Sequence, residues 1–299
     1  MRAPDPRAVV ATTTPTQVRR SRRGGRDVVL WLGVLWLVVV VGAAALAPWL
    51  PLGNHDDPVA GLTTPTFAPP ALGSDHPLGT NGFGLDVLAR VVFGARTSLV
   101  VALLAVSIGT VLGAVVGMVA GFLRGTTDRI VGVLSNALLA VPPLILLIAL
   151  GSVLDPSIRS IAFALSLLTI PSMVRLARAT TIAVAEREFV LAARALGAGR
   201  VRLLAREIMP NVALPVLSLA VVMISVLIVA EASLSFLGIG IQQPQPTWGN
   251  MIAEGQGGVM EDHPFIVLVP GVCLFLTVFS VNLVGERAQA RWDTRGAKT

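Results

Sequence analysis

Tyrosine is missing from this 299-residue chain, lysine occurs once (Lys298), cysteine once (Cys273) and histidine three times (His55, His76, His263). Each shortage excludes something. One cysteine, set in an apolar run, rules out a disulfide framework and a thiol metal site. One lysine, next to the last residue, rules out a Gly-x-x-x-x-Gly-Lys-Ser/Thr phosphate loop, so ATP would have to be bound by another subunit. Three scattered histidines, with no His-Glu-x-x-His and no Gly-x-Ser-x-Gly, supply no convergent acid, base, nucleophile or metal set for an intramembrane enzyme. His55, Asp56 and Asp57 are adjacent, but neighbours in an extended loop diverge, and a solvated turn is expected there. Charge is scarce as well. Only 13% of residues are charged and 54% are hydrophobic, with mean hydropathy +0.78, against roughly 25% charged in soluble domains. This is the composition of a membrane protein. With no tyrosine, Trp31, Trp36, Trp49, Trp248 and Trp292 are the aromatic candidates for the membrane interface.

What is present is a series of apolar runs. Residues 1–27 form a tail with seven arginines among Pro and Thr, a composition that predicts disorder. Its arginine pairs are read as a positive-inside anchor in preference to a nucleic-acid or lipid site. The first span, residues 28–50, carries no charge, and its twelve Val and Leu residues between 28 and 47 contribute about −4 to −7 kcal/mol to insertion. Residues 51–96 are an extracytoplasmic segment ending in an amphipathic stretch, 86–93, expected to lie as a helix at the interface. Five further spans are expected near 97–122, 130–154, 157–177, 212–236 and 264–285. In the second, Gly109, Gly113, Gly117 and Gly121 share one face, a small-residue stripe for close helix packing. Pro142-Pro143 interrupts the third, giving a kink that either lines a pathway or only curves the helix. Glu231 is the one acid in an apolar run. Its place near the outer end of its span favours structural pairing or solvation over proton relay.

Between the fourth and fifth spans, residues 175–207 carry ten charges, whose burial in a bilayer would cost on the order of 25–35 kcal/mol. The segment is therefore a loop, taken as 180–211, with order of its own. Phe189, Ala193 and Leu196 follow helical spacing beside Val190, Gly197 is placed to end that helix, and Val201, Leu204 and Ile208 mark a second one stopped by Pro210. Two short helices hinged at a glycine make a knob.

Ala192-Ala193, Gly197 and Met209-Pro210 resemble the Glu-Ala-Ala, Gly, Ile-x-Leu-Pro loop of ABC-importer permeases, with Leu191 standing where that family has Glu. The stretch HPLGTNGFGLDVLARVVFGARTSL, residues 76–99, is similar to the signature before the second span of the C-type permease in dipeptide and oligopeptide importers, with Asn81 for Asp and Leu85 for Arg. The loop 238–255 is similar to the same family. The resemblance implies an all-α permease of six transmembrane helices with both termini cytoplasmic, a core over 97–285 and a short tail over 286–299. It implies that Glu188, Phe189, Ala192, Ala193, Arg194, Gly197, Ala198, Arg200 and Pro210 dock on a cytoplasmic ATPase, and that Trp248, Gly249 and Asn250 meet an extracytoplasmic substrate-binding protein. The expected partners are a B-type permease, two ATP-binding subunits holding ATP and Mg, that binding protein, and membrane lipid; no nucleic acid, and no cofactor or metal on this chain.

Charge supports that orientation. With the N-terminus inside, seven basic residues in the tail, two in the first loop, seven in the knob region and four at the C-terminus face the cytoplasm, against Arg90, Arg96 and Arg159 outside. The reading is thus an importer permease for di- or oligopeptides in the cell membrane. A nickel or other small-solute importer of the same family is the alternative, since a neutral pore wall does not encode its ligand. A secondary transporter is disfavoured because no span holds an ionisable group at mid-depth.

Overall fold

The computed structural model describes residues 23–71 and 73–296, with side chains over 28–71 and 73–289. The expected tail over residues 1–22 lies outside the described residues, as do the last three residues of the chain. Every regular element is a helix among the described residues. In order they are α1 (Arg23–Leu46), α2 (Pro58–Gly61), α3 (Val87–Leu123), α4 (Gly125–Ala140), α5 (Pro143–Gly151), α6 (Ile158–Ala185), α7 (Glu188–Ala195), α8 (Arg200–Arg202), α9 (Met209–Phe236), α10 (Trp248–Ala253), α11 (Val259–Asp262) and α12 (Phe265–Gly296). Among the described residues, five helices are long and apolar enough to cross a membrane: α1, α3, α6, α9 with its lead-in, and α12. The α4–α5 pair adds a sixth if it is one broken span, since its halves meet at 86°. The cause of the bend is local. Pro142 forces Val141 to extended backbone (φ −79°, ψ 126°), and Pro142 and Pro143 remove two amide donors in succession.

The α3–α6 pair is the spine. A Cβ built on Gly109, Gly113, Gly117 or Gly121 would lie 2.5–2.7 Å from α6 atoms: Thr169 Cβ, Met173 Cβ, the Val174 carbonyl and the Arg178 carbonyl. The four glycines therefore let the two backbones touch, as the stripe in the sequence suggests. One cluster of buried side chains, including Val101, Ala105, Leu165, Leu227 and Trp248, fills the end of the bundle near the start of α3. A second, with Met173, Ala177, Val190, Leu203, Ile208 and Val216, fills the opposite end. α1 lies at the edge, tied to α12 by Trp36 Nε1 donating to Thr277 Oγ1 at 3.0 Å.

Three expectations need correction. The amphipathic stretch near 86–93 is no separate surface helix. It is the first turns of α3, capped by Asp86, whose Oδ1 accepts the Ala89 amide at 2.7 Å, and it is buried under the segment around α10. The fourth span runs longer than expected, as a single helix that passes Pro171 to Ala185. Nor does Pro210 stop a helix. A π-helical stretch, Leu203–Ile208, joins α8 to α9, so the backbone runs helically from Arg200 to Phe236. Its wider turn accommodates the proline ring, and Asn211 Nδ2 donates to the Glu207 carbonyl at 2.7 Å beside the missing amide bond.

Candidate functional site

At one end of the bundle the chain builds a projecting knob from α7, a glycine turn and α8. The turn has the geometry expected of a left-handed helix stop. Gly197 takes φ +84°, the Ala198 amide donates to the Ala193 carbonyl at 3.0 Å, and the Gly197 amide donates to the Arg194 carbonyl at 3.0 Å. Its chain neighbours aside, no described residue lies within 4 Å of a Cβ built on Gly197, so the positive φ is what calls for glycine there. Gly199, with φ −69°, has no such need. Val190, Leu203 and Ile208 are buried beneath the knob and fix it to α6 and α9.

The outer side of the knob is apolar at its crown and basic around it. Leu196 is 89% exposed and Val201 82%, although both belong to the helical repeats that the sequence pattern groups with core positions. Phe189 and Leu191 are exposed on the same loop. Of the residues expected to dock, Glu188, Phe189, Ala192, Arg194, Gly197, Arg200 and Pro210 are exposed, while Ala193 and Ala198 are half-buried. Arg187, Arg194, Arg200, Arg202 and Arg206 are exposed around them. Such a surface suits a partner groove that is apolar within and acidic at its rim. Sequence reasoning missed Leu191, Leu196 and Val201; the signal was an apolar repeat on a loop too charged to enter lipid. The knob's root is tied to the corner between α3 and α4: Arg178 makes a two-point ion pair with Asp128 in the first turn of α4, and Arg124 Nη2 meets Glu186 Oε1 at 2.7 Å.

The opposite end is closed by a cap made of residues 50–86 and 237–264. Its hub is Arg90, fully buried on α3. Arg90 Nη2 donates to Glu254 Oε1 at 2.6 Å, and Nη1 donates to the carbonyls of His55 (3.0 Å) and Pro244 (3.3 Å). Glu254 also accepts from Asn81 Nδ2 at 2.9 Å and Gln243 Nε2 at 3.0 Å. Burial pushes the Glu254 carboxyl above its ordinary range, against the pull of Arg90 and Asn81. His55 stacks on Phe93 with ring centroids 3.6 Å apart, and burial lowers its pKa despite the nearby Asp56. Asp57 caps α2, so the His55–Asp57 run serves stacking and capping, and no group of three potential metal ligands converges among the described residues.

Trp248, Gly249 and Asn250, expected to face a binding protein, are buried instead. Trp248 is 0% exposed and its Nε1 donates to the Val91 carbonyl at 3.1 Å. A Cβ on Gly249 would lie 2.3 Å from the Ala232 carbonyl, and Asn250 completes a capping box with Thr247 while holding the Ile241 and Gln245 carbonyls. These three fasten the cap to the bundle; being interior, they offer no surface. Glu231 is likewise internal, its carboxylate accepting from Ser98 and Ser235 hydroxyls at 2.7 Å each. It joins α3 to α9 just below the cap.

Comparison with known proteins agrees with this geometry. Residues 109–295 match the family described as "Binding-protein-dependent transport system inner membrane component". A Brucella suis biovar 1 protein, provisionally assigned as a peptide transport system permease, is 35% identical over 96% of this chain and 92% of its own. The di/tripeptide transport system permease protein DppC of Pseudomonas aeruginosa is 33% identical over 88% of this chain and 87% of its own. The glutathione transport system permease protein GsiD of Escherichia coli is 32% identical over 94% and 93%. Among solved structures, an inward-facing MetNI methionine ABC transporter chain superposes with TM-score 0.55 at 18% identity, covering 69% of this chain and 97% of that one. That likeness concerns the fold.

Proposed function

The chain belongs to the family of binding-protein-dependent transport system inner membrane components, and on that premise we propose that it is the permease subunit of an ATP-driven importer of di- or oligopeptides. In this reading it crosses the membrane six times, α4–α5 counting as one broken span, with both termini and the knob in the cytoplasm. The observation that carries it is the knob: two large apolar side chains, Leu196 and Val201, held almost fully exposed on a rigid glycine turn inside a ring of arginines. Among the described residues, nothing covers them. A separate ATP-binding subunit does, and its closure on nucleotide pulls the knob and with it α6 and α9. The exposed apolar side of α4–α5, continuous with a groove lined by Leu144, Leu168, Pro171, Met223 and Leu227, is the face for a second permease subunit, the two together enclosing the pore. Short peptides are favoured as substrates by the names of the relatives.

The test is made on the assembled transporter. Leu196→Asp, Val201→Asp and Gly197→Pro should each abolish peptide uptake and strip the ATP-binding subunit from the purified complex, while the chain stays inserted in the membrane. Charge reversal across Arg194, Arg200 and Arg202 should do the same. Uptake and ATPase association unchanged in all four would overturn the assignment.

A further inference from the structure

The cap presents an apolar patch to water that the buried Trp248 loop cannot account for. Val59 is 74% exposed, Leu62 82% and Phe83 51%. They sit together because α2 is clamped onto the 81–85 turn. A Cβ on Gly61 would lie 2.2 Å from the Phe83 carbonyl, and one on Gly84 would lie 2.2 Å from the Gly61 carbonyl. Asn81 Oδ1 accepts the amides of Phe83 (3.0 Å) and Leu85 (2.9 Å), while Asp57 Oδ1 accepts those of Val59 (2.9 Å) and Ala60 (3.2 Å). Beside the patch, Pro58, Phe83, Leu85, Gln243 and Pro244 line a recess of about 220 Å³, room for one large side chain. The patch is therefore preorganised. Large apolar groups held rigidly at an aqueous surface mark an interaction site.

Charge selects the occupant. Residues 50–86 and 237–264 contain no lysine or arginine, while Asp56, Asp57, Asp75, Glu261 and Asp262 are exposed on them. Anionic lipid headgroups would be repelled by this acidic cap, and a second copy would bring like charges together. A soluble protein with a basic rim around protruding apolar side chains fits. We propose that Val59, Leu62 and Phe83 form the seat on this chain for the extracytoplasmic solute-binding protein, an inference that rests on the permease reading above.

The experiment is site-specific photocrosslinking in intact cells making the whole transporter, with benzoylphenylalanine placed at Leu62 or, separately, at Leu196, and adducts identified by mass spectrometry. The probe at Leu62 should capture a solute-binding protein. Adding Phe83→Asp should cut that adduct about fivefold or more, as should raising ionic strength well above the physiological range in membrane preparations. Retention of the Leu196 adduct to an ATP-binding subunit in the Phe83→Asp chain reports that it is still folded. Adducts at Leu62 only to phospholipid, only to a second copy, or to nothing, with the Leu196 adduct intact, overturn the docking seat and leave the permease reading standing. Loss of both adducts in the unsubstituted chain overturns the permease reading and the seat with it.

Discussion

Arg90 makes direct or one-step contact with most of what shapes the cap: the His55 and Pro244 carbonyls, Glu254, and through Glu254 both Asn81 and Gln243. Removing one partner of such a buried pair strands the other, at about 3–5 kcal/mol. Arg90→Ala should therefore unfold the cap, seen as new protease cleavage within residues 50–86, whereas Glu254→Gln, which keeps an acceptor oxygen, should be milder. His55 gives a pH signature. Burial holds its pKa below 6.5, so the folded state binds the proton less tightly than the unfolded state does. Its contribution is complete above about 6.5 and is lost as pH falls from there through the lowered value. The melting temperature in detergent should accordingly fall as pH is lowered from about 7.5 to 5.5, and His55→Phe, which keeps the stack on Phe93, should flatten that slope. A His55→Phe chain with the unaltered slope would refute the assignment. Little of this was legible beforehand. Arg90 reads as one polar position in an amphipathic stretch and Glu254 as an ordinary loop acid. Only the fold, by crossing α3 with a segment 164 residues later, puts them in contact.

Elements were more readable than their junctions. The glycine stripe announced a close helix pair and α3–α6 is one, since four-residue spacing is a local property that survives without knowledge of the partner. Gly113→Leu should push α6 away and cost at least the ~1–3 kcal/mol of overpacking, lowering the melting temperature of the detergent-solubilised chain. Gly132, with no atom within 4 Å of its Cβ position, is the control, and Gly132→Ala should leave that temperature unchanged or raise it. Equal behaviour of the two would mean that α3 and α6 do not pack as described. At junctions, local rules lost to context. Pro210 reads as a stop because a proline ring clashes in a regular α-helix, but a π-helical turn before it changes the geometry. Trp248 reads as an interface aromatic because tryptophans gather there, yet this one finds a buried carbonyl for its indole N–H.

For the whole molecule, apolar runs and arginine counts led to an expectation of six spans with a stated orientation, of which five helices, or six with the bent α4–α5 pair, are long and apolar enough among the described residues, and the knob was visible as charge caught between spans. The crown of the knob was not, because Leu196 and Val201 obey the same periodicity as core residues and only burial tells the two apart. Orientation can be checked cleanly because Cys273 is the only cysteine to remove. In a Cys273→Ser background, Leu62→Cys should react with a membrane-impermeant maleimide added to intact spheroplasts, and Leu196→Cys only in inverted vesicles. The reverse pattern would turn the proposed importer upside down. α3 adds a mechanical corollary. Its 37 residues reach about 55 Å, nearly twice the ~30 Å of hydrocarbon it crosses. Clamped by Arg90 near one tip and packed closely on α6 along the glycines toward the other, it joins the two ends of the bundle in one continuous helix. If the proposed seat and knob both engage partners, a load at one end and a pull at the other act on that same helix and its α6 neighbour.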